Sequence, residues 1–417
     1  VAELTATLDP DINADSIIHE EFAVTDEQQE LRAAVRRFCA ERSDQATVRR
    51  LLAATPAFDR RDWSRLGAEL GVLGLGVPED LGGSGGGLVD AAIVVEELGA
   101  AMFCGPLFGT LMLSIPALAA APPSPVRDQA LGALIDGTRT AAFVDNATTD
   151  NATTATATTD AENITATVDA DGWHLTGVAA QVVDAADADD LLVVASGPDG
   201  IVLLLVDATA PGVHRTRLTT MDQTRPQAHI RFHNAPAQLI AEPHDANAIR
   251  DHALRVGAVL LAAEQVGGSQ HLLDICVEYA KTRLQFGRPI GSFQAVKHRL
   301  ADMLVEQEHA RSVAYHGAWA LQDGTDDPDL AASIAQAVCS AASTRIARDA
   351  VQSHGGIGFT WEHEVHLYLK RAFTDAALLG SAEWHRDRIA SLVLDMADPM
   401  EVEVATGYPT TSITTGE

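Results

Sequence analysis

Basic side chains are scarce in this sequence: 29 Lys and Arg stand against 58 Asp and Glu over 417 residues, a formal net charge of −29. Phosphate backbones need a basic face, so such a surface argues against nucleic acid; a small anion stays open only where basic residues cluster locally. Cysteine is scarce as well. Cys39, Cys104, Cys276 and Cys339 lie far apart in the chain, which excludes a C-x-x-C metal or redox motif and leaves buried free thiols in a reducing compartment as the expectation. Aromatic residues make up only 5% while alanine is abundant, a balance that favours helices packed through small side chains. Long apolar runs are missing: the most apolar stretch, residues 109–121, is short and holds Pro116, so no membrane span is expected. The opening stretch VAELTATLDPDINADSIIHEE is acidic and lacks a secretory pattern. A cytoplasmic protein is therefore expected, and the N-x-T sequons at Asn146, Asn151 and Asn163 carry no weight.

What is present is ordinary for a globular protein, with 47% hydrophobic and 21% charged residues. Residues 1–24 read as a loose acidic arm, and residues 25–137 as a helical domain. Its first helix opens on a capping box, Thr25 with Gln28, and buries Leu31, Val35 and Phe38 at helical spacing. Over residues 138–245 short β-prone runs (TAAFVDNA, WHLTGVAAQVV, DDLLVVAS, GIVLLLVDA, AHIRFHNA) alternate with turn residues, the pattern of a small β domain. Within it the low-complexity run 145–163 reads as a loop. Residues 246–397 return to long helical periodicity, with a fourth helix expected to run unbroken through EVHLYLKRAFTDAALLG to about Met396; four such helices suit a bundle. Residues 398–417 form a polar tail.

Two segments in the last part carry chemistry. RLQFGRPIGSFQAVKHRLADM (283–303) closes one helix, turns at Phe286-Gly287 and opens the next, with Arg283 and Gln294 flanking the turn. QSHGGIGF (352–359) ends a helix in glycines, which let backbone N–H groups come close to a phosphate. Each alone also reads as a helix cap and a loop. Together, in this helix–sheet–helix order, and with LGVLGLGVPEDLGGSG and TMDQTRPQAHIRF upstream, they resemble the acyl-CoA dehydrogenase family over residues 25–395.

The resemblance implies an α+β multi-domain fold: an N-terminal helical domain, a central β domain and a C-terminal four-helix bundle. It implies FAD as cofactor, an acyl-CoA thioester as substrate, α,β-desaturation as chemistry, and an electron-transfer flavoprotein or similar acceptor. It also implies a dimer or tetramer in which each FAD lies across a subunit interface. The neighbour-donated contacts to the ADP part map onto Arg283, Phe286, Gln294, Gln352, Gly355 and Gly356, and that set is intact.

The flavin-holding set departs from the family's pattern. The T-E-P-x-A-G-S-D-like loop is replaced by DNATTDNATT, the aromatic-Ile-Thr strand by Gln181-Val182-Val183, and Gly-Thr-Ser by Ser381-Ala382-Glu383. The catalytic glutamate expected nine residues after Arg371 is Gly380. At the alternative position on the first bundle helix stand Gly257 and, beside it, Ala258. Departures on one side of a shared site suit a non-catalytic subunit that completes the FAD pocket of a glutamate-bearing homologue in a heterotetramer, as in some steroid side-chain dehydrogenases of the family. That partner subunit is the alternative to the first reading, a subunit of an FAD-dependent acyl-CoA dehydrogenase of sterol or other lipid catabolism whose base is unrecognised, Glu383 or Glu264 being the weak candidates; a flavin monooxygenase or oxidase of the same fold comes third.

Three further motifs carry less. WEHEVH brings His363, Glu364 and His366 without the H-E-x-x-H spacing of a metal site, so none is expected. EWHRDR offers His385 and Asp387 with no placed nucleophile. PEDLGGSGGG lacks the Lys-Ser/Thr of a P-loop.

Overall fold

The structure is a computed structural model that describes residues 24–145, 163–324 and 326–395. The expected arm, tail and low-complexity loop lie outside the described residues except at their edges. Three blocks follow one another: helices, a β domain, and helices again.

The first block opens with α1 (Asp26–Arg42), where Thr25 accepts from Gln28 N and Gln28 returns the bond to Thr25 N, the reciprocal cap expected. Then come α2 (Gln45–Leu52), α3 (Arg60–Ala68) and the almost wholly buried α4 (Leu88–Ala100). A π-helix over Leu107–Ser114 runs into α5 (Ile115–Ala120), and α6 (Pro125–Ile135) closes the block. The π-helix is buried at every residue. Its sequence, apolar but for Thr110 and Ser114, offers no periodicity from which to tell one helix type from another.

The β domain holds β1 (Ala141–Asp145), β2 (Thr165–Asp169), β3 (Gly172–Val183), β4 (Asp190–Gly197), β5 (Gly200–Asp207), β6 (Val213–Arg217) and β7 (Gln227–Ala241). Pairings β4–β5–β7–β3–β2–β4 close a ring, with β1 added in parallel to β4 and β6 antiparallel to β7. Strands β4 and β5 are apolar through their centres, Leu191 to Ala195 and Ile201 to Val206, where both faces are covered. Leu191, Val193, Val202 and Leu204 point into the ring's own core, while Leu192, Val194 and Leu203 pack into the core shared with the helices. Burial of each such side chain stabilises by ~1.5–3 kcal/mol, so this alternation docks the ring on the helices.

The last block starts with α7 (Pro243–Thr282), 40 residues and so ~60 Å long. A hairpin, β8 (Leu284–Gln285) and β9 (Arg288–Pro289), leads to α8 (Gln294–Asp323) and α9 (Pro328–His354). The bundle interior is rich in Ala258, Ala262, Ala314, Ala318 and Ala335, as the alanine content suggested. The expected fourth helix is not continuous. It is broken into α10 (Val365–Asp375) and α11 (Ala382–Asp395), because Leu379 and Gly380 take positive φ of 57° and 109°, which no helix tolerates. No described helix is long and apolar enough to cross a membrane.

Candidate functional site

At one end of the bundle α7 stops at Thr282, and Arg283 leaves it in extended conformation. Phe286 and Gly287 take φ of 52° and 76°, two consecutive left-handed residues that make the tight hairpin turn between β8 and β9. The Phe286 ring is 92% exposed, supported only at its edge by Phe293 at 6.0 Å, itself covered by the Arg288 guanidinium at 4.1 Å. Helix α9 ends at the same place, since Tyr279 near the end of α7 stacks on His354 at the end of α9, ring centroids 4.5 Å apart. Gly355 turns the chain out with φ 63°, and a Cβ on it or on Gly356 would meet nothing within 4 Å. Arg283, Phe286, Gln294, Gln352, Gly355 and Gly356 are thus brought to one end of the bundle, and all are exposed.

Sequence reasoning missed a property of this end that composition carried. Residues 279–301 hold Lys281, Arg283, Arg288, Lys297 and Arg299 and no acidic residue, in a chain of net charge −29. Counting charge in windows would have found it. The same end exposes Leu284, Phe359 and Trp361, with Lys370 Nζ 4.6 Å over the Trp361 ring. A flat anion with an aromatic part finds both charge and ring faces here.

The two glutamate positions behave differently. Gly380 and Gly257 are buried, and Leu379, next to Gly380 in the chain, also packs against Gly257. The two positions therefore converge on one spot, and that spot is filled. A Cβ at Gly380 would lie 2.5 Å from Trp384 Cε3 and 3.0 Å from His385 Nε2. A Cβ at Gly257 would lie 2.5 Å from Leu113 Cδ2. Leu113 comes from the π-helix, far from Gly257 in the chain, so only folding brings it here, whereas Trp384 follows Gly380 closely and folds back over it from the first turn of α11. Glu383 points away: its side chain is 80% exposed and 3.7 Å from Arg386. On the strand side, Val182 and Val183 are buried and Gln181 Nε2 donates to Gln227 Oε1 at 2.5 Å. The end that carries Arg283 thus offers a cation, open glycines and exposed rings to an anionic cofactor such as FAD, while Gly257 and Gly380 are enclosed by Leu113, Leu379 and Trp384.

Glu264, on α7, is fully paired. Its carboxylate accepts from Arg225 Nη2 at 2.6 Å and from Arg371. Arg371 also donates to Asp222 at 2.8 Å and to Thr224 Oγ1 at 2.6 Å, and Arg225 lies 3.3 Å from Asp375. Asp184, at the end of β3, accepts from Gly109 N at 2.8 Å. Burial opposes the charge on Glu264 and Asp222, yet the neighbouring guanidiniums outweigh it and hold both below the usual carboxylate range. Burial prevails at the other two, pushing Asp375 up to about 7 and Asp184 to about 6. A carboxylate locked between two arginines is an anchor between β domain and bundle rather than a free base. The four cysteines are free and buried.

The comparisons agree with this architecture. Residues 25–138 match the family model of the acyl-CoA dehydrogenase N-terminal domain, and residues 248–394 that of the acyl-CoA dehydrogenase C-terminal domain. The chain is 37% identical to acyl-CoA dehydrogenase IpdE2 of Mycobacterium tuberculosis over 356 residues, 85% of this chain and 94% of that protein. Among solved structures it is similar to a single-residue variant of the Tcur3481-Tcur3483 steroid ACAD, with 30% identity, TM-score 0.79, and 90% and 99% of the two chains covered. The ChsE4-ChsE5 complex from Mycobacterium tuberculosis aligns with 28% identity and TM-score 0.79, over 90% of this chain and 99% of that one.

Proposed function

This chain belongs to the acyl-CoA dehydrogenase family, and we propose that it is the partner subunit of a heteromeric, cytoplasmic, FAD-dependent dehydrogenase. It completes the cofactor site of a glutamate-bearing homologue rather than housing a full site of its own. The observation that carries this reading is the asymmetry of the two half-sites: the set around Arg283 is exposed and open, while Leu113, Leu379 and Trp384 crowd Gly257 and Gly380. In this reading Arg283 would pair with the pyrophosphate, and the open backbone at Gly355 and Gly356 would let N–H groups reach it. The side-chain amides of Gln294 and Gln352 would satisfy polar edges of the cofactor, and the exposed Phe286 ring would supply apolar cover. Bound FAD supplies a hydride acceptor for α,β-desaturation of an acyl-CoA, the proton going to the partner's glutamate. A steroid-derived or similarly bulky acyl group is the proposed substrate, supported by the steroid dehydrogenase among the similar structures. An electron-transfer flavoprotein or similar acceptor takes the electrons onward.

The test begins with the chain purified alone: its visible spectrum, then anaerobic bleaching by a panel of acyl-CoA thioesters. The expected result is no FAD, or FAD that no thioester reduces, with both properties appearing on co-expression with a glutamate-bearing homologue. FAD bleached by a thioester in the lone chain would overturn the partner reading. Bound FMN would favour the monooxygenase class instead, since FMN has no ADP part for the exposed set to hold.

A further inference from the structure

The charged cluster around Glu264 has features that neither half-site explains. Two guanidiniums, Arg225 and Arg371, face four carboxylates, Glu264, Asp222, Asp375 and Asp184. All six are buried. They come from the β6–β7 connection, α7, α10 and the end of β3; the other ionisable groups packed against them are Tyr368 on α10 and Cys104 between α4 and the π-helix. With every carboxylate ionised, the cluster would carry two uncompensated negative charges in a low-dielectric interior, which folded proteins avoid.

A cavity of about 20 Å³ opens beside the cluster, lined by Glu264, Gln265, Ser269, Ser343, Tyr368, Arg371 and Asp375 among others. One water needs ~10–15 Å³ and two to four polar partners. Two partners are waiting: Gln265 Oε1 and Asp375 Oδ1 are buried without a hydrogen bond, on side chains 4% and 1% exposed. Arg225 Nε, 3.3 Å from Asp375 Oδ1, is also left without one.

We propose that this cluster is a hydrated, proton-dependent joint between the β domain and the bundle: one internal water fills the cavity, and protons on Asp375 and Asp184 make the charges balance. With those two protons the tally is two cations against two anions. Arg371 then stays clamped between Glu264 on α7 and Asp222 in the β domain, and α10 is held by both. Losing either proton leaves a surplus carboxylate facing Glu264, and the joint weakens.

The sign follows from linkage. A carboxyl that holds its proton more tightly when folded contributes stability that is complete below its ordinary value and is lost as pH rises through its folded value, here about 7 for Asp375 and about 6 for Asp184. The experiment is denaturant unfolding of the assembly as purified, from about pH 5 to about pH 9, for the unmodified protein and for Asp375→Asn and Asp184→Asn. Between its ordinary value and its folded value each such group lowers the folding constant by about tenfold per pH unit, and above the folded value the loss levels off. Each Asn variant is therefore expected to lose one such component and to gain on the parent as pH rises. Identical pH slopes in the parent and both variants would overturn the proposal. Should the variants fail to fold, infrared spectra of the unmodified chain with isotope-labelled Asp decide. A protonated-carboxyl band at about pH 6 that vanishes at about pH 9 supports the joint, and no such band at about pH 6 overturns it. A high-resolution crystal structure with an empty cavity would remove the water.

Discussion

Gly380 shows how tightly a missing residue can be written into its surroundings. Its φ of 109° suits glycine, and Trp384 sits where a Cβ would go. Gly380→Glu is therefore expected to destabilise by ~1–3 kcal/mol in denaturant unfolding, without creating thioester-driven bleaching of flavin in the lone chain. Glu383→Gln is expected to leave stability within ~0.5 kcal/mol and flavin behaviour unchanged, because the side chain is in water. Glu264→Gln is the opposite case. It strips the shared counter-charge from Arg225 and Arg371 and is expected to cost ~3–5 kcal/mol in urea unfolding. Because the Glu264 carboxyl is held below its ordinary value, its contribution is present above that value and lost as pH falls through the folded one; acid unfolding is expected to come earlier in parent than in a Gln variant measured against its own neutral-pH stability. Gly380 was legible from its spacing to Arg371, and Gly257 from the LAAEQVGG run that follows it. What crowds Gly257 was not, since Leu113 reaches it from the π-helix, and the fold-back of Trp384 over Gly380 depends on the left-handed corner before α11.

Among the elements, those with local chemistry could be read directly. Thr25 and Gln28 announced α1, and Thr25→Ala is expected to cost ~1 kcal/mol through the lost reciprocal cap, measurable as a lower denaturation midpoint. Phe286-Gly287 announced its turn, and long alanine-rich periodicity announced α7, α8 and α9. Elements defined by partners were missed. Strands β2 and β6 are short, polar and mostly exposed, and they exist because β3 and β7 offer them edges. The break between α10 and α11 was missed because a glycine inside a helical pattern reads as a tolerated weakness, and only the left-handed backbone at Leu379 and Gly380 makes it a corner.

At the scale of the molecule, helix–sheet–helix order was legible because the hydrophobic period changes twice along the chain. The burial of both faces of β4 and β5 was also visible in their unbroken apolar runs. The end carrying Arg283 and Phe286 is expected to be separable from folding. Arg283→Glu or Phe286→Asp should leave the unfolding midpoint of the chain within ~0.5 kcal/mol, since both side chains are exposed. Either change should lower the FAD retained by a co-purified complex. Retained FAD equal to that of the parent would remove these residues from the interface.

The exposed rings of Phe286, Phe359 and Trp361 also bear on the life of the chain before assembly. In the proposed assembly, a newly made copy carries a greasy handle until its mate and cofactor cover it. Until it is covered, chaperones and proteases that patrol for such handles compete for it, so the cell's stock of this protein should track the supply of its mate. Translation of the two in step, rather than surplus of either, is what such a handle rewards.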